Sequence, residues 1–329
     1  MTDTAETGPA GIDADGTGEP ERAPMALDEV AALAERVVDN VEAVIVGKRA
    51  AVEHVVVTVL ARGHLLVEDV PGVGKTTLAK AVSRSIDGSF KRVQFTPDLL
   101  PADVTGVNVF NQRTDEFEFQ PGPVFANVVL GDEINRAPPK TQSALLEAME
   151  EGQVTTDGET RPLPDPFCVI ATQNDVEPGQ TYELPVAEVD RFTKKIRLGY
   201  PSTEDEAEII GRMAGDHPVD AVEPVASIEE VRRARTAVAD VDATEPVREY
   251  VARLATYTRE NARLGVSPRG SLALLRTAQA RAALDGRGYV IPDDIQAEAP
   301  TVLAHRVRSD SGTDGEQVVE DALNRTSVE

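Results

Sequence analysis

The chain reads Asp69-Val70-Pro71-Gly72-Val73-Gly74-Lys75-Thr76-Thr77, and this stretch decides its fold. The apolar residues 64–68 before it predict a strand, and residues 78–82 after it predict a helix. A glycine-rich turn between a strand and a helix that begins at Lys-Thr is the arrangement that holds a nucleoside triphosphate. Successive backbone N–H groups and the helix N-terminus then face one anion. We therefore expect a phosphate-binding loop here.

Within this loop, we expect Lys75 to reach the β- and γ-phosphates and the Thr76 hydroxyl to hold Mg²⁺. The strict phosphate-loop pattern has a glycine six residues before the lysine, and that position is Asp69 here. Gly72 and Gly74, which lie nearest the phosphates, are kept. The alternative is a glycine turn that precedes a lysine by chance, and the strand and helix on either side disfavour it.

The composition bounds the class of protein. The chain has 329 residues, 41% of them hydrophobic, which suits about two domains with ordinary cores. No apolar run is long enough to cross a bilayer. The single cysteine, Cys168, lies in an apolar run, so we expect a core residue, no internal disulfide and a cytoplasmic location.

The formal net charge is −24, from 57 acidic and 33 basic residues. A field of this sign repels nucleic acid, and no basic stripe with interleaved aromatic residues offsets it, so no nucleic-acid partner is expected. An acidic surface suits a salt-rich cytoplasm, where salt screens self-repulsion. We prefer this interpretation, and a source that is an extreme halophile, to a surface built for one cationic partner.

The chain divides into four segments that differ in composition and hydrophobic periodicity. Residues 1–25 form an acidic tail that cannot bury enough apolar surface to order itself. Residues 26–200 alternate strands with helices and predict an α/β domain with a parallel sheet, whose last strand we expect at residues 196–198. Residues 201–308 predict a small all-α domain. Residues 309–329 are acidic and polar, and we expect a mobile tail there.

Asp132 and Glu133 follow a short buried strand at residues 127–130. Ligands collect at the carboxyl ends of parallel strands, so two adjacent acids there can divide the chemistry. Asp132 can hold Mg²⁺, and Glu133 can orient and deprotonate the attacking water. The alternative, that both residues simply begin a loop, loses weight because a phosphate loop precedes them.

Three further residues have both a functional and an ordinary interpretation. Asn174 follows a buried strand and lies near the γ-phosphate if that strand is central, although asparagine is also common in turns. Arg191 could reach a neighbouring subunit's nucleotide or pair with Asp190 or Glu188. Arg269 follows the predicted helix start Ser267-Pro268, and a cation in this first turn opposes the helix dipole. A phosphate opposite Arg269 would explain the misfit, and the alternative is an ordinary surface arginine.

Four segments together resemble the MoxR family of AAA+ ATPases, in chain order from about Val30 to Arg306. They are residues 70–76, the block Gly131-Asp132-Glu133-Ile134-Asn135-Arg136-Ala137-Pro138-Pro139-Lys140, residues 171–174 and residues 184–192. The Asp-Glu-Ile-Asn-Arg-Ala sequence is the most family-specific part. The resemblance implies an AAA+ P-loop core followed by a helical lid.

The resemblance also implies roles for individual positions. Residues 71–77, Pro71, Gly72, Val73, Gly74, Lys75, Thr76 and Thr77, resemble Walker A, and Asp132 with Glu133 resembles Walker B. Asn174 resembles sensor 1, Arg191 the arginine finger, and Arg269 sensor 2. Val46-Gly47 resembles the segment beside the adenine. An insert of a short helix and a hairpin after Phe95, and a second hairpin at Asp157-Gly158, are expected to face the central surface of a ring.

The function implied by the resemblance is ATP hydrolysis with Mg²⁺ by a homo-oligomeric ring, expected to be a hexamer. Such a ring would remodel or mature a partner protein, in some cases for metal insertion, often with a partner that carries a von Willebrand factor A domain. The alternatives are a chelatase-type motor subunit, a nucleotide-switched binding module with little hydrolysis, and a nucleic-acid motor.

Overall fold

The computed structural model describes residues 24–173, 182, 184–213, 218–309 and 314–328. Five strands form one sheet: β1 (Leu65–Glu68), β2 (Phe90–Gln94), β5 (Val128–Asp132), β8 (Cys168–Gln173) and β9 (Lys194–Ile196). Two hairpins lie outside it, β3 (Gly106–Asn111) with β4 (Glu116–Pro121), and β6 (Gln153–Thr156) with β7 (Glu159–Pro162).

The twelve helices of the described residues surround and follow this sheet. They are α1 (Leu27–Glu42), α2 (Arg49–Leu60), α3 (Lys75–Ser85), α4 (Pro101–Thr105), α5 (Pro139–Glu151), α6 (Val186–Val189), α7 (Thr203–Met213), α8 (Ile228–Ala239), α9 (Glu245–Asn261), α10 (Pro268–Leu284), α11 (Pro292–Leu303) and α12 (Gly315–Arg325).

The sheet is parallel throughout, with the order β2-β5-β8-β1-β9, which confirms the predicted α/β class. In its register, Glu68 lies beside Gln173 and Gln94 lies beside Asp132. The carboxyl ends of neighbouring strands therefore meet at one edge, where ligands of such sheets bind. β8 lies between β5 and β1, the central position that was a condition for placing Asn174 near the γ-phosphate.

The last strand begins earlier than the sequence predicted. We expected it at residues 196–198, whereas β9 covers Lys194–Ile196. Beyond Ile196 the backbone turns away from β1, and the N–H groups of Leu198 and Gly199 donate to the carboxylate of Asp69 instead. A side-chain acceptor has replaced the strand partner.

Both predicted hairpins are present. The irregular segment after Phe95 contains the short helix α4 and the antiparallel pair β3–β4. The second hairpin turns at Asp157 and Gly158, whose φ angles are +53° and +84°. Positive φ at both central residues is typical of the two-residue turn that matches strand twist. Asn108 Nδ2 donates to Asp157 Oδ2 at 2.7 Å, so the two hairpins touch.

The two faces of the sheet bury separate sets of side chains. Leu65 and Val67 of β1 face the side of α1, α2 and α3, whereas Leu66 faces the side of α5. This alternation is the two-residue period of a strand. Helix α10 packs on α1 and α2, so the C-terminal helices share a core with the N-terminal ones.

A buried ion cluster also joins the sheet to the C-terminal helices. Lys194 of β9 pairs with Glu298 of α11, and both side chains are fully buried. Arg281 Nε lies 2.6 Å from the other carboxylate oxygen of Glu298. Burial lowers the pKa of Lys194 to about 8. Removing one partner would leave an uncompensated buried charge, so the pair fixes how these elements meet.

The expected mobile tail after residue 308 is wrong for residues 315–325, which form α12. Val318, Val319 and Ala322 are buried in the main core, and the helix packs on α9 and α11. Their spacing of three and four residues gives one apolar helix face, which outweighs the polar composition. Residues 1–23 of the expected N-terminal tail lie outside the described part of the chain.

Candidate functional site

The glycine turn after β1 has the backbone of a phosphate loop. Gly72 and Gly74 have φ angles of +89° and +94°, which a residue with a Cβ rarely adopts. Gly74 is the N-cap of α3, so Lys75 begins the helix. Lys75 is buried, and its Nζ donates to the main-chain oxygen of Asp69 at 2.9 Å. The turn leaves N–H groups and an ammonium group facing one cleft.

Asp69, the departure from the strict loop pattern, fixes the start of this turn. Its Oδ2 accepts N–H bonds from Leu198 at 2.6 Å and Gly199 at 2.7 Å. Its Oδ1 accepts the N–H of Val70 at 2.9 Å. A glycine could make none of these bonds. Asp69 therefore ties the phosphate loop to the segment that follows β9 and leads into α7.

Asp132 and Glu133 lie at the carboxyl end of β5, opposite the loop. The buried hydroxyl of Thr172, on β8, donates to Asp132 Oδ1 at 2.7 Å and accepts the N–H of Glu133 at 2.8 Å. Glu133 has a φ of +57°, a left-handed conformation that costs a residue other than glycine about 1–3 kcal/mol. Thr172 holds this strained backbone and so aims both carboxylates.

These groups line one space, which we call the phosphate cleft: Pro71, Gly72, Gly74, Lys75, Thr76, Thr77, Arg92, Gln94, Asp132 and Glu133. Its volume is about 380 Å³. The cleft brings Walker-A-like and Walker-B-like residues together, as the sequence predicted. Its oxygen donors, the Thr76 hydroxyl and the Asp132 carboxylate, are the ligand type that Mg²⁺ prefers, so the residues fit this ion.

Two residues of β2 belong to the cleft and were missed from the sequence. Arg92 pairs with Asp132 Oδ2, its Nε at 3.2 Å, and donates to Gln94 Oε1 at 2.8 Å. Gln94 Nε2 in turn donates to Glu133 Oε2 at 2.8 Å. The available signal was the two-residue spacing, which puts both side chains on one face of β2 at its carboxyl end. Arg136 also pairs with Glu133, at 2.9 Å.

A second space adjoins the phosphate cleft and is largely apolar. It has a volume of about 420 Å³ and is lined mainly by Val44, Ile45, Val46, Val73, Tyr200, Pro201, Ile209 and Ile210, together with Gly72, Gly74 and Thr77 of the loop. We call it the base cleft, because its size and lining suit a flat aromatic ring. Val46 lies in this lining.

Gly47, predicted beside the base, is constrained by α7. Its φ is +69°, and a Cβ built on it would lie 2.2 Å from Asp205 Oδ2. A side chain at this position would force the Asp205 carboxylate of α7 to move, and the positive φ disfavours any residue with a Cβ. Gly47 thus serves close packing next to the cleft.

Asn174 lies outside the described residues. Arg191 and Arg269 do not line the phosphate cleft. Both pair with Glu150 at the end of α5, Arg191 Nη1 at 3.1 Å from Glu150 Oε2 and Arg269 Nη2 with Glu150 Oε1. Arg191 therefore pairs with neither Asp190 nor Glu188, and the carboxylate opposite Arg269 offsets the helix-dipole misfit that we had explained by a phosphate.

The space around this pair we call the arginine cleft. It has a volume of about 370 Å³, and its polar lining comprises His64, Glu150, Asp190, Thr193, Arg62, Arg191, Arg269, Arg276 and Arg306. It shares no lining residue with the phosphate cleft. Five arginines face two carboxylates, so the cleft is basic in a strongly acidic protein. Glu150 had no sequence signal, since Arg269 is 119 residues away.

Arg306 and His64 make the inner wall of the arginine cleft rigid. The buried Arg306 places Nε 2.7 Å from Asp190 Oδ1 and Nη2 3.0 Å from the Asp190 main-chain oxygen. His64 accepts the Val169 N–H at Nδ1 and contacts the Met149 oxygen through Nε2, each at 3.0 Å. Burial lowers the pKa of His64 to about 4. The ring is therefore neutral, with its proton on Nε2.

Other classes of site find little support in the described residues. They contain no group of three or more His, Cys, Asp or Glu side chains that could hold a metal ion. None of their helices combines the length and the apolar character that a bilayer crossing requires. Cys168 is buried, and burial raises the pKa of its thiol to about 12, so it is a core residue as predicted.

Comparison with known proteins agrees with this geometry. Residues 64–194 match the ATPase family associated with various cellular activities (AAA), and residues 254–324 match the AAA lid domain. The crystal structure of a candidate ATPase from Cytophaga hutchinsonii is 36% identical, superposes with a TM-score of 0.86, and is matched over 92% of this chain and 96% of that one.

Two curated relatives are similar over most of their length. The protein YeaC of Bacillus subtilis, of uncharacterised function, is 52% identical over 83% of this chain and 86% of its own. The chaperone MoxR1 of Mycobacterium tuberculosis is 43% identical over 83% of this chain and 75% of its own. With the parallel sheet, the phosphate loop and the helical lid in place, the chain belongs to the MoxR family of AAA+ ATPases.

Proposed function

We propose that this protein hydrolyses ATP in the phosphate cleft and uses the energy to remodel or mature a partner protein or complex. One observation carries the proposal. Lys75, Thr76, Asp132 and Glu133 line a single cleft that opens onto an apolar cleft of the size of a base. A binding protein needs the loop and the base cleft, whereas the strained Glu133 is needed only for chemistry on the γ-phosphate.

Each group has a proposed role. The loop N–H groups from Gly72 to Thr77 and the Lys75 ammonium hold the phosphates. Thr76 and Asp132 would hold Mg²⁺, which neutralises phosphate charge when bound. The Glu133 carboxylate takes the proton of the attacking water. Asn174 is proposed to orient that water from the end of the central strand.

Completion of the site is proposed to need a second subunit. Arg191 and Arg269 lie in a cleft that shares no residue with the phosphate cleft of their own chain. Guanidinium groups that approach from a neighbour can stabilise the charge of the transition state. We propose that both act on the nucleotide of an adjacent copy, in a homo-oligomeric ring that is a hexamer.

The cellular role is proposed from the family. A relative bears the name chaperone, which favours a protein client over nucleic acid. We propose a cytoplasmic ring that works with a partner carrying a von Willebrand factor A domain. If metal insertion is involved, the metal site belongs to the partner or the client, because the described residues hold no cluster of metal ligands beyond the proposed Mg²⁺ site.

The test is a Glu133→Gln variant beside a Glu147→Gln control on α5, assayed for ATP binding and phosphate release. We expect Glu133→Gln to bind ATP normally and to lose turnover by about 10²–10⁴-fold, because the amide cannot accept the proton. Glu147 is exposed and lines neither the phosphate cleft nor the arginine cleft, so its variant should match the unmodified protein. Unchanged turnover in Glu133→Gln would contradict the assigned base.

The same experiment distinguishes an ATP-hydrolysing remodelling enzyme from a nucleotide-switched binding module. If the unmodified protein binds ATP but releases no phosphate at any subunit concentration, a nucleotide-switched binding module is the better description. If it turns over, affinity capture with ATP-loaded Glu133→Gln identifies the client that stays bound. ATPase stimulation by DNA at high salt would instead favour a nucleic-acid motor.

A further inference from the structure

Glu150 is the only carboxylate that pairs with Arg191 or Arg269 among the residues that the structure describes. One oxygen lies 3.1 Å from Arg191 Nη1, and the other pairs with Arg269 Nη2. A single side chain thus occupies both arginines to which a role on phosphate is assigned. Its two oxygens spread over two guanidinium groups, as the oxygens of a phosphate would.

The remaining charge of the arginine cleft is not balanced by Glu150. Arg62 and Arg276 are exposed in the same cleft, and neither has a carboxylate partner within the described ranges. Asp190, the other carboxylate of the lining, is taken by the buried Arg306. The cleft therefore has capacity for an anion with more charge than one carboxylate, such as the terminal phosphates of a nucleotide.

The hold of Glu150 on the arginines is weak enough to be displaced. The side chains of Glu150, Arg191 and Arg269 are 34%, 29% and 43% exposed. Ion pairs with this much exposure contribute about 0–1 kcal/mol each, and salt screens them. A doubly charged phosphate with bidentate geometry would bind the same groups more strongly.

We propose that Glu150 is an internal counter-ion that occupies the two arginines in the separate subunit and is displaced when a neighbour's nucleotide docks. This inference rests on the proposed function, because it requires the ring. Glu150 then opposes assembly: each interface must first break its ion pairs. It also keeps the arginines away from stray anions until the correct phosphate arrives.

The sign of the effect distinguishes this role from a structural one. If Glu150 merely orients the arginines for catalysis, neutralising it weakens the interface and lowers turnover. If it competes with the phosphate, a Glu150→Gln change strengthens ATP-dependent assembly. Because two exposed ion pairs are released per subunit interface, the subunit concentration for half-assembly should fall about 3- to 10-fold.

The experiment compares the full-length Glu133→Gln, Glu133→Gln/Glu150→Gln and Glu133→Gln/Glu147→Gln proteins, each with saturating ATP. The base change prevents turnover, so assembly can be followed by sedimentation over a subunit concentration series at low and high salt. We expect the Glu150 variant to assemble at about 3- to 10-fold lower concentration, with the difference shrinking at high salt. The Glu147 variant carries the same charge change on the same helix and should match the parent.

The outcomes separate the two proposals. Assembly of the Glu150 variant at equal or higher concentration than the Glu147 variant would overturn the role of Glu150 and leave the ring intact. Failure of all three proteins to assemble with ATP would overturn the ring, and the inference with it. Without ATP, the Glu150 variant should unfold at the temperature of the Glu147 variant or a few degrees below it, because it loses only exposed ion pairs; a larger loss would show a structural role for Glu150 and overturn the proposal.

Discussion

The phosphate cleft presents the Asp132 and Glu133 carboxylates with the Lys75 ammonium, whereas the arginine cleft presents Arg191 and Arg269 with the Glu150 carboxylate. In each cleft, a side chain of the same chain and of opposite charge covers a group with a proposed role. Arg92 lies on Asp132, where a metal cation would bind, and Glu150 lies on the two arginines, where a phosphate would bind. The chain therefore covers Asp132, Arg191 and Arg269 with its own side chains, although the arginine cleft keeps an excess of arginines over carboxylates.

The two clefts differ in what builds them. The phosphate cleft is made of strand ends and a glycine turn, with Thr172 and Asp69 fixing its backbone through short hydrogen bonds. Arg269 and Arg191 project as long side chains from α10 and from the turn after α6. Backbone groups are held before the ligand arrives, whereas side chains on exposed ion pairs can reorient. Under the proposed function, the comparison teaches that the nucleotide would meet a preorganised backbone, whereas the arginines would act only after a neighbour displaces their ion pairs.

The largest expected effect is the loss of turnover when an arginine of the arginine cleft is removed. An Arg191→Ala protein should bind ATP normally but lose turnover by about 10³-fold or more, because transition-state charge is no longer stabilised. An Arg253→Ala control removes a partly exposed arginine that pairs with Glu249 on α9, and it should keep its turnover. Turnover and ATP affinity are measured for each protein.

Mixing two inactive variants tests whether the phosphate cleft of one subunit meets the arginine cleft of its neighbour. Lys75→Ala subunits lack nucleotide but supply Arg191, and Arg191→Ala subunits bind nucleotide, so mixed rings should recover activity that neither protein has alone. If mixed proteins co-assemble, as shown by a tag on one subunit, and turnover stays absent, action of Arg191 across the interface is wrong.

The next effect in size is the pH dependence of the free energy of unfolding that arises from His64, in the wall of the arginine cleft. Burial lowers the pKa of His64 to about 4, below the ordinary value of about 6.5. As the pH falls below about 6.5, the unfolded chain takes up a proton that the folded chain refuses, so the free energy of unfolding falls. The loss is at most about 1.4 kcal/mol per pH unit, or roughly 2 kcal/mol between pH 6.5 and pH 5.

A His64→Gln variant isolates this contribution. Urea unfolding at several pH values gives the free energy of unfolding as a function of pH. Between about pH 4 and pH 6.5, this dependence should be less steep in the variant, because about one proton fewer is taken up on unfolding. His54 is half-buried beside Lys194, and desolvation lowers its pKa to about 4, so it should contribute equally to the pH dependence of both proteins. Equal slopes in the two proteins would show that His64 titrates normally in the folded state.

The smallest expected effect sharpens the description of the phosphate cleft. An Asp69→Gly variant restores the strict loop pattern but loses three N–H acceptor bonds, so the loop becomes less fixed. We expect ATP affinity to fall about tenfold, which is the loss of roughly one charged hydrogen bond. Asp69→Asn keeps one acceptor oxygen, so its ATP affinity should lie between that of the unmodified protein and that of the glycine variant. Unchanged or tighter ATP binding by the glycine variant would show that the tie to Leu198 and Gly199 is incidental.

Local sequence was a good guide wherever a short segment determines its own backbone. The Asp157-Gly158 turn, the Ser267-Pro268 helix start and the burial of Cys168 were all predicted, and Ser267 does accept the N–H of Gly270. The end of β9 and the last helix were missed. In both cases a distant group decided the outcome, the Asp69 carboxylate for β9 and the faces of α9 and α11 for α12.

The sequence by itself determined the half-site that lies around one glycine turn. Strand, turn and helix are contiguous, and the periodicity of buried strands indicates which ends of the sheet meet, so Lys75, Thr76, Asp132 and Glu133 could be brought to one cleft before any coordinates. These positions depend on backbone geometry, and backbone geometry follows from local residue types.

Only the tertiary structure decided where the arginines go and what they touch. Arg191 and Arg269 reach Glu150 because α5, α10 and the turn after α6 pack against one another, and no local pattern encodes that approach. The pairing of long charged side chains depends on which surfaces meet once the core is buried. The sequence could therefore name the arginines, whereas their separation from their own phosphate cleft emerged from the packing of the C-terminal helices.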